Sequence, residues 1–75
     1  MPRTYSILVD PDPEGGYAVT VPALPGCITE GETIKDCVVN AKEAIGLYLD
    51  DIVAGGEPIP EEKEHPRLLQ VTVAP

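Results

Sequence analysis

At 75 residues the chain has room for one domain, taken as 1–75, with a modest core. Its 13 acidic and 5 basic side chains give a net charge of −8, which opposes direct binding to a phosphate backbone and favours basic partners. Two cysteines make no disulfide framework and no apolar run approaches the roughly 20 residues that span a bilayer, so a cytoplasmic protein with free thiols and no membrane attachment is expected.

Residues 3–9 (RTYSILV) alternate, with Tyr5, Ile7 and Val9 on one side and Thr4, Ser6 and Leu8 on the other, which predicts a strand. Residues 10–16 (DPDPEGG) are turn chemistry, and the two prolines are expected to stop the ladder. Residues 17–21 (YAVTV) alternate again, with Tyr17, Val19 and Val21 on one face, so the two runs form an antiparallel hairpin with a longish loop. Residues 22–27 (PALPGC) reverse the chain: Pro22 and Pro25 stiffen it, Gly26 lets it turn, Leu24 plugs the loop and Cys27 is buried. A short third strand is expected over 28–32, its glutamates and Gly31 suiting an edge.

Thr33 has the chemistry of a helix N-cap, with Asp36 three residues on. The helix should run from Ile34 to about Ala54. Its apolar stripe is Ile34, Cys37, Val38, Ala41, Ala44, Ile45, Tyr48, Leu49, Ile52 and Val53. Gly46 interrupts it, as close packing on a neighbour would explain, and Gly55 and Gly56 stop it. A Pro- and Glu-rich connector over 57–66 leads to a fourth strand, 68–73 (LLQVTV), with Leu69, Val71 and Val73 on its apolar face.

The expected fold is α+β, in the order β-β-β-α-β. The four-stranded sheet has order 3-2-1-4, with the last strand parallel to the first, and one helix covers one face. The other face would carry Thr4, Ser6, Leu8, Ala18, Thr20, Leu68, Gln70 and Thr72. None is charged, and that neutrality predicts a partner there, a second copy or another protein.

Chemistry is sparse. A cysteine nucleophile needs a base, and the one histidine, His65, lies in the connector. Cys27, Cys37 and His65 have no recognised metal-ligand spacing. Residues 10–15 resemble the start of a calcium loop, but its twelfth position is Val21 rather than a bidentate glutamate. Asp50 with Asp51 and Glu61 with Glu62 lie outside any apolar pocket that would tune a pKa for acid–base work. A non-enzymatic protein with no cofactor and no metal is the expectation.

The combination of P-x-L-P-G-C over 22–27, x-T-x-G-x-T over 28–33 and N-A-x-E-A over 40–44, with Ile59 and Pro60 later, resembles the HicB antitoxin family over roughly residues 3–73. Its motif positions here are Pro22, Leu24, Pro25, Gly26, Cys27, Thr29, Gly31, Thr33, Asn40, Ala41, Glu43 and Ala44. The resemblance implies a degraded ribonuclease-H-like fold without catalytic carboxylates. It also implies an antitoxin of a type II toxin–antitoxin system, occluding a small basic HicA-type toxin that cleaves mRNA. Asp36, Glu43, Asp50 and Asp51 are the acidic candidates for meeting that toxin. A homo-oligomer, dimer or higher, is expected, and the longer relatives' DNA-binding domain is not, so direct DNA binding is not expected. The alternative is an orphan homo-oligomeric HicB-like domain binding another protein or a small ligand, with no toxin.

Overall fold

In the computed structural model, which describes residues 2–75, the elements run β1 (Leu8–Pro11), β2 (Tyr17–Thr20), β3 (Ile28–Gly31) and α1 (Ile34–Ala54). The sheet is three-stranded and antiparallel in the order β1-β2-β3. Leu8 pairs with Thr20 and Thr20 with Ile28; Asp10 pairs with Ala18 and Ala18 with Glu30.

The first strand starts later than its alternation predicts, and the register supplies the reason. Continuing the β1–β2 pairing toward lower numbers would set Ile7, Ser6 and Tyr5 opposite Val21, Pro22 and Ala23. That stretch is already folded into a turn: the Leu24 amide donates to the Val21 carbonyl at 2.9 Å and the Cys27 amide to the Leu24 carbonyl at 3.0 Å. Proline also has no N–H to offer a ladder. At its other end β1 runs on through Asp10 to Pro11, so the prolines shorten the hairpin loop instead of ending the strand early. Pro11 is tolerated because β1 is an edge strand.

The helix forms where its stripe and caps place it. The Thr33 hydroxyl accepts from the Asp36 amide at 3.1 Å, and the Gly55 amide closes the far end on the Asp51 carbonyl at 3.0 Å. Its inward side packs Cys37 and Ala41 on Val19, with Ile7, Val9 and Tyr17 around them. A second cluster, Val21, Leu24 and Cys27, packs against Tyr5, Ile7, Ala44, Ile45, Tyr48 and Leu49. Ile34, Val38 and Val53, predicted for the core, are exposed.

The expected fourth strand is absent from the sheet. Residues 68–73 pair with nothing and their side chains are exposed, so Leu69, Val71 and Val73 do not lie under the helix. The connector before them is nonetheless held to the body. The Tyr5 hydroxyl donates to the Pro60 carbonyl, and the Ser6 amide and hydroxyl donate to the two Glu62 carboxylate oxygens at 2.9 and 2.7 Å. No helix of the described residues is long and apolar enough to cross a membrane.

Candidate functional site

The 22–27 turn is a structural joint. The Val21 amide donates to the Cys27 carbonyl at 3.1 Å, extending the β2–β3 register by one pair. Leu24 is fully buried beneath it, and Gly26 turns at φ 82°, a backbone conformation that side-chain-bearing residues rarely adopt. Tyr48 fastens the loop to the helix, its hydroxyl donating to the Pro25 carbonyl at 2.8 Å. Cys27 and Cys37 are free and buried, and burial pushes the Cys27 thiol above its ordinary pKa, away from the nucleophilic thiolate. His65 pairs with Glu62 in the connector.

Asn40 places the N-A-x-E-A motif on the sheet. Its side-chain amide donates to the Glu30 carbonyl at 2.7 Å, so this flank of the helix faces β3. Ala41 and Ala44 then face inward, where small side chains allow close approach, and Thr29 lies opposite Val19 on the inner side of the sheet. Glu43 is exposed.

The acidic candidates fall into an ordered array. Asp36, Glu43 and Asp50 are exposed and stand seven residues apart, so they share one stripe of the solvent side of α1. Asp51 is exposed beside that stripe in the last turn. At the other end of the helix the stripe opens into a shallow groove of about 290 Å³ lined by Asp12, Glu30, Glu32, Asp36 and Asn40. Asp12, Glu30 and Glu32 were not among the sequence candidates. Asp12 is far along the chain from Glu30 and Glu32, and the antiparallel meander brings the β1–β2 turn against the end of β3. A turn aspartate and two glutamates bracketing Gly31 were the available signal. Asp12 also serves its own turn, its Oδ1 accepting from the Glu14 amide at 2.8 Å. Among the described residues no group of His, Cys, Asp or Glu is arranged to hold a metal ion.

The uncovered sheet face differs from its expected composition. Of the predicted residues the strands carry Leu8, Ala18 and Thr20. Thr4 and Ser6 precede the sheet, with Ser6 held by Glu62, and Leu68, Gln70 and Thr72 lie outside it. The register adds Ile28, 70% exposed, beside Thr20, and sets Asp10 and Glu30 on either side of Ala18. The face is therefore an apolar row, Leu8–Thr20–Ile28, bordered by two carboxylates, and not the wholly neutral surface the alternation suggests.

Comparison with known proteins gives a family match. A family model described as the HicB-like antitoxin of bacterial toxin–antitoxin systems matches residues 5–72. The chain is 43% identical over 58 residues to a UPF0150 protein of Thermoplasma acidophilum, covering 77% of this chain and 84% of that one. A UPF0150 protein of Synechocystis is 36% identical over 58 residues, covering 77% and 73%. The antitoxin HicB of Escherichia coli K12 is 36% identical over 56 residues, which span 75% of this chain but 41% of that longer protein. The match takes in the buried Leu24 turn, the Gly31 edge and the Asn40 helix alike, and by it the chain belongs to the HicB-like antitoxin family.

Proposed function

We propose that this protein is a non-enzymatic, cytoplasmic antitoxin that binds a small basic HicA-type toxin and covers the surface with which that toxin engages and cleaves mRNA. The observation that carries the reading is the acidic array: Asp36, Glu43 and Asp50 in register along the helix, continuing into the groove of Asp12, Glu30 and Glu32. A nuclease that grips RNA must present a basic surface. A row of exposed carboxylates mimics the charge pattern of the backbone it grips, steers the encounter and excludes the nucleic acid by like-charge repulsion. Family membership supports the antitoxin role.

The placement of Asp50 and Asp51 supports this reading. Both lie near the C-terminal end of α1, whose last turn contains no basic residue. Carboxylates there oppose the negative end of the helix dipole. A surface optimised for stability would carry lysine or arginine there, so the acids fit a binding role.

Co-expression with a small basic toxin of the HicA type tests the proposal. Growth arrest by that protein should be relieved by the wild-type chain and not by an Asp36→Lys, Glu43→Lys, Asp50→Lys variant that still folds. Toxicity unaffected by the wild-type chain refutes the role. A second reading, an orphan homo-oligomeric domain binding another protein or a small ligand, draws on Ile28 exposed beside Leu8 and Thr20 on the outer sheet face. In that reading Thr20→Arg abolishes association and the acidic variant does not.

A further inference from the structure

Residues 68–73 carry the period-two apolar pattern of a strand, yet Leu68, Leu69, Val71 and Val73 are 81%, 79%, 83% and 79% exposed. From His65 onward the chain is free of helix, turn or bend. The molecule measures 51 × 27 × 20 Å, and a 21-residue helix accounts for only about 32 Å of the long axis. The segment therefore stands off the body, unpaired.

The same chain has a vacancy that fits it. β1 ends the sheet order, so one of its edges presents unpaired N–H and C=O groups. The inner surface beside that edge is thinly covered, with Ile7 and Val9 only half buried. The helix flank facing β3 is marked by the Asn40 bond to Glu30. Val38, exposed, projects roughly 160° around the axis from Asn40 and so overhangs the β1 side. Val9, half buried, and Val38, exposed, would thus flank an apolar trough along the free edge of β1. The Ser6–Glu62 bonds deliver the chain to the margin of this trough, where Pro66, Arg67 and Leu68 line a groove with Ser6, Ile7 and Leu8, but the chain then passes on without pairing.

We propose that a second copy of this chain fills the vacancy by reciprocal exchange: residues 68–73 of each protomer pair with the free edge of β1 in the other. Leu69, Val71 and Val73 then face the trough between Val9 and Val38, while Leu68, Gln70 and Thr72 join Leu8 on the outer face. A twofold exchange satisfies both edges at once and closes the assembly. The segment contains no charged residue, so its insertion is not opposed by the −8 of its partner.

The test is the mass of the full chain by light scattering at low micromolar concentration, with two variants that touch no folded element, Val71→Pro and Val73→Asp. The wild-type chain should run at twice its 8.0 kDa. Both variants should run at the monomer mass with unchanged helical circular dichroism, because proline removes a ladder donor and aspartate cannot enter the trough. In a sample mixed from differently labelled copies, Val71 methyl groups should show contacts to Val9 of the other copy. A monomeric wild-type chain overturns the proposal. So does a dimer indifferent to both variants, a dimer broken by Thr20→Arg alone, or Val71 contacts found only within one copy.

Discussion

Gly31 and Cys37 lie so close that a side chain on the glycine has no space. A Cβ added to Gly31 would stand 2.8 Å from the Cys37 backbone nitrogen and 2.9 Å from its Sγ. The last residue of β3 thus abuts the first turn of α1 through bare backbone, and this contact sets how closely the helix approaches the sheet. The glycine of the x-T-x-G-x-T motif is there for proximity.

Gly31→Ala should therefore destabilise the fold by about 1–3 kcal/mol, because the obstructing atoms include backbone that cannot step aside. Urea unfolding followed by circular dichroism measures it as a lowered midpoint at unchanged slope. A midpoint equal to wild type would show that the contact has slack.

Gly46 is the opposite case. Close packing is the natural explanation for a glycine inside a helix, yet an added Cβ at Gly46 meets nothing within 4 Å and the residue is exposed. Gly46→Ala should stabilise the chain by about 0.5–1 kcal/mol through helix propensity alone. The same urea experiment reads it, and a loss of stability would mean that a partner or conformer needs the open position.

Asp51→Lys should move stability and binding in opposite directions. Replacing a carboxylate in the last turn by an ammonium aligns charge with the helix dipole and should add about 0.3–1 kcal/mol to unfolding. The same change should weaken association with the proposed basic toxin. Loss of stability together with unchanged binding would remove this residue from the proposed interface.

The connector should respond to acid. Hydrogen bonds from His65 first, then from the Ser6 hydroxyl and amide, hold the Glu62 carboxyl at about 2, below its ordinary 4.5. A depressed folded-state pKa contributes stability that is present above pH 4.5 and is lost as pH falls from there through about 2. The Ser6 amide resonance should therefore titrate with a midpoint well below 4.5 in the wild-type chain and stay flat in Glu62→Gln. A midpoint at the ordinary value would show that the Ser6–Glu62 bonds do not hold in solution.

Much of the fold was legible because local chemistry and tertiary packing agree. Thr33 caps the helix it was expected to cap, and the alternation of Tyr17, Val19 and Val21 predicts the face that packs under it. The segment 68–73 has the pattern of a strand but lies outside the sheet for a physical reason. Alternation identifies residues suited to a strand but not the edge that will pair with them, and within one chain that edge is not engaged. β1 starts later than its alternation predicts because Pro22 and the Leu24 turn occupy the positions its partner would need, which only the register reveals. The acidic groove was half legible. Asp36 could be placed on a helix face by counting, whereas Asp12, Glu30 and Glu32 join it through strand pairing. The same pairing puts Asp10 and Glu30 on the face expected to be neutral.

Toxin occlusion is tested most directly by calorimetric titration of the purified chain with a small basic toxin of the HicA type, over a range of salt. A complex is expected whose affinity falls steeply as salt rises and which is lost in the Asp36→Lys, Glu43→Lys, Asp50→Lys variant at full helical content. No complex with the wild-type chain, or one equally tight with the charge-reversed chain, would contradict it.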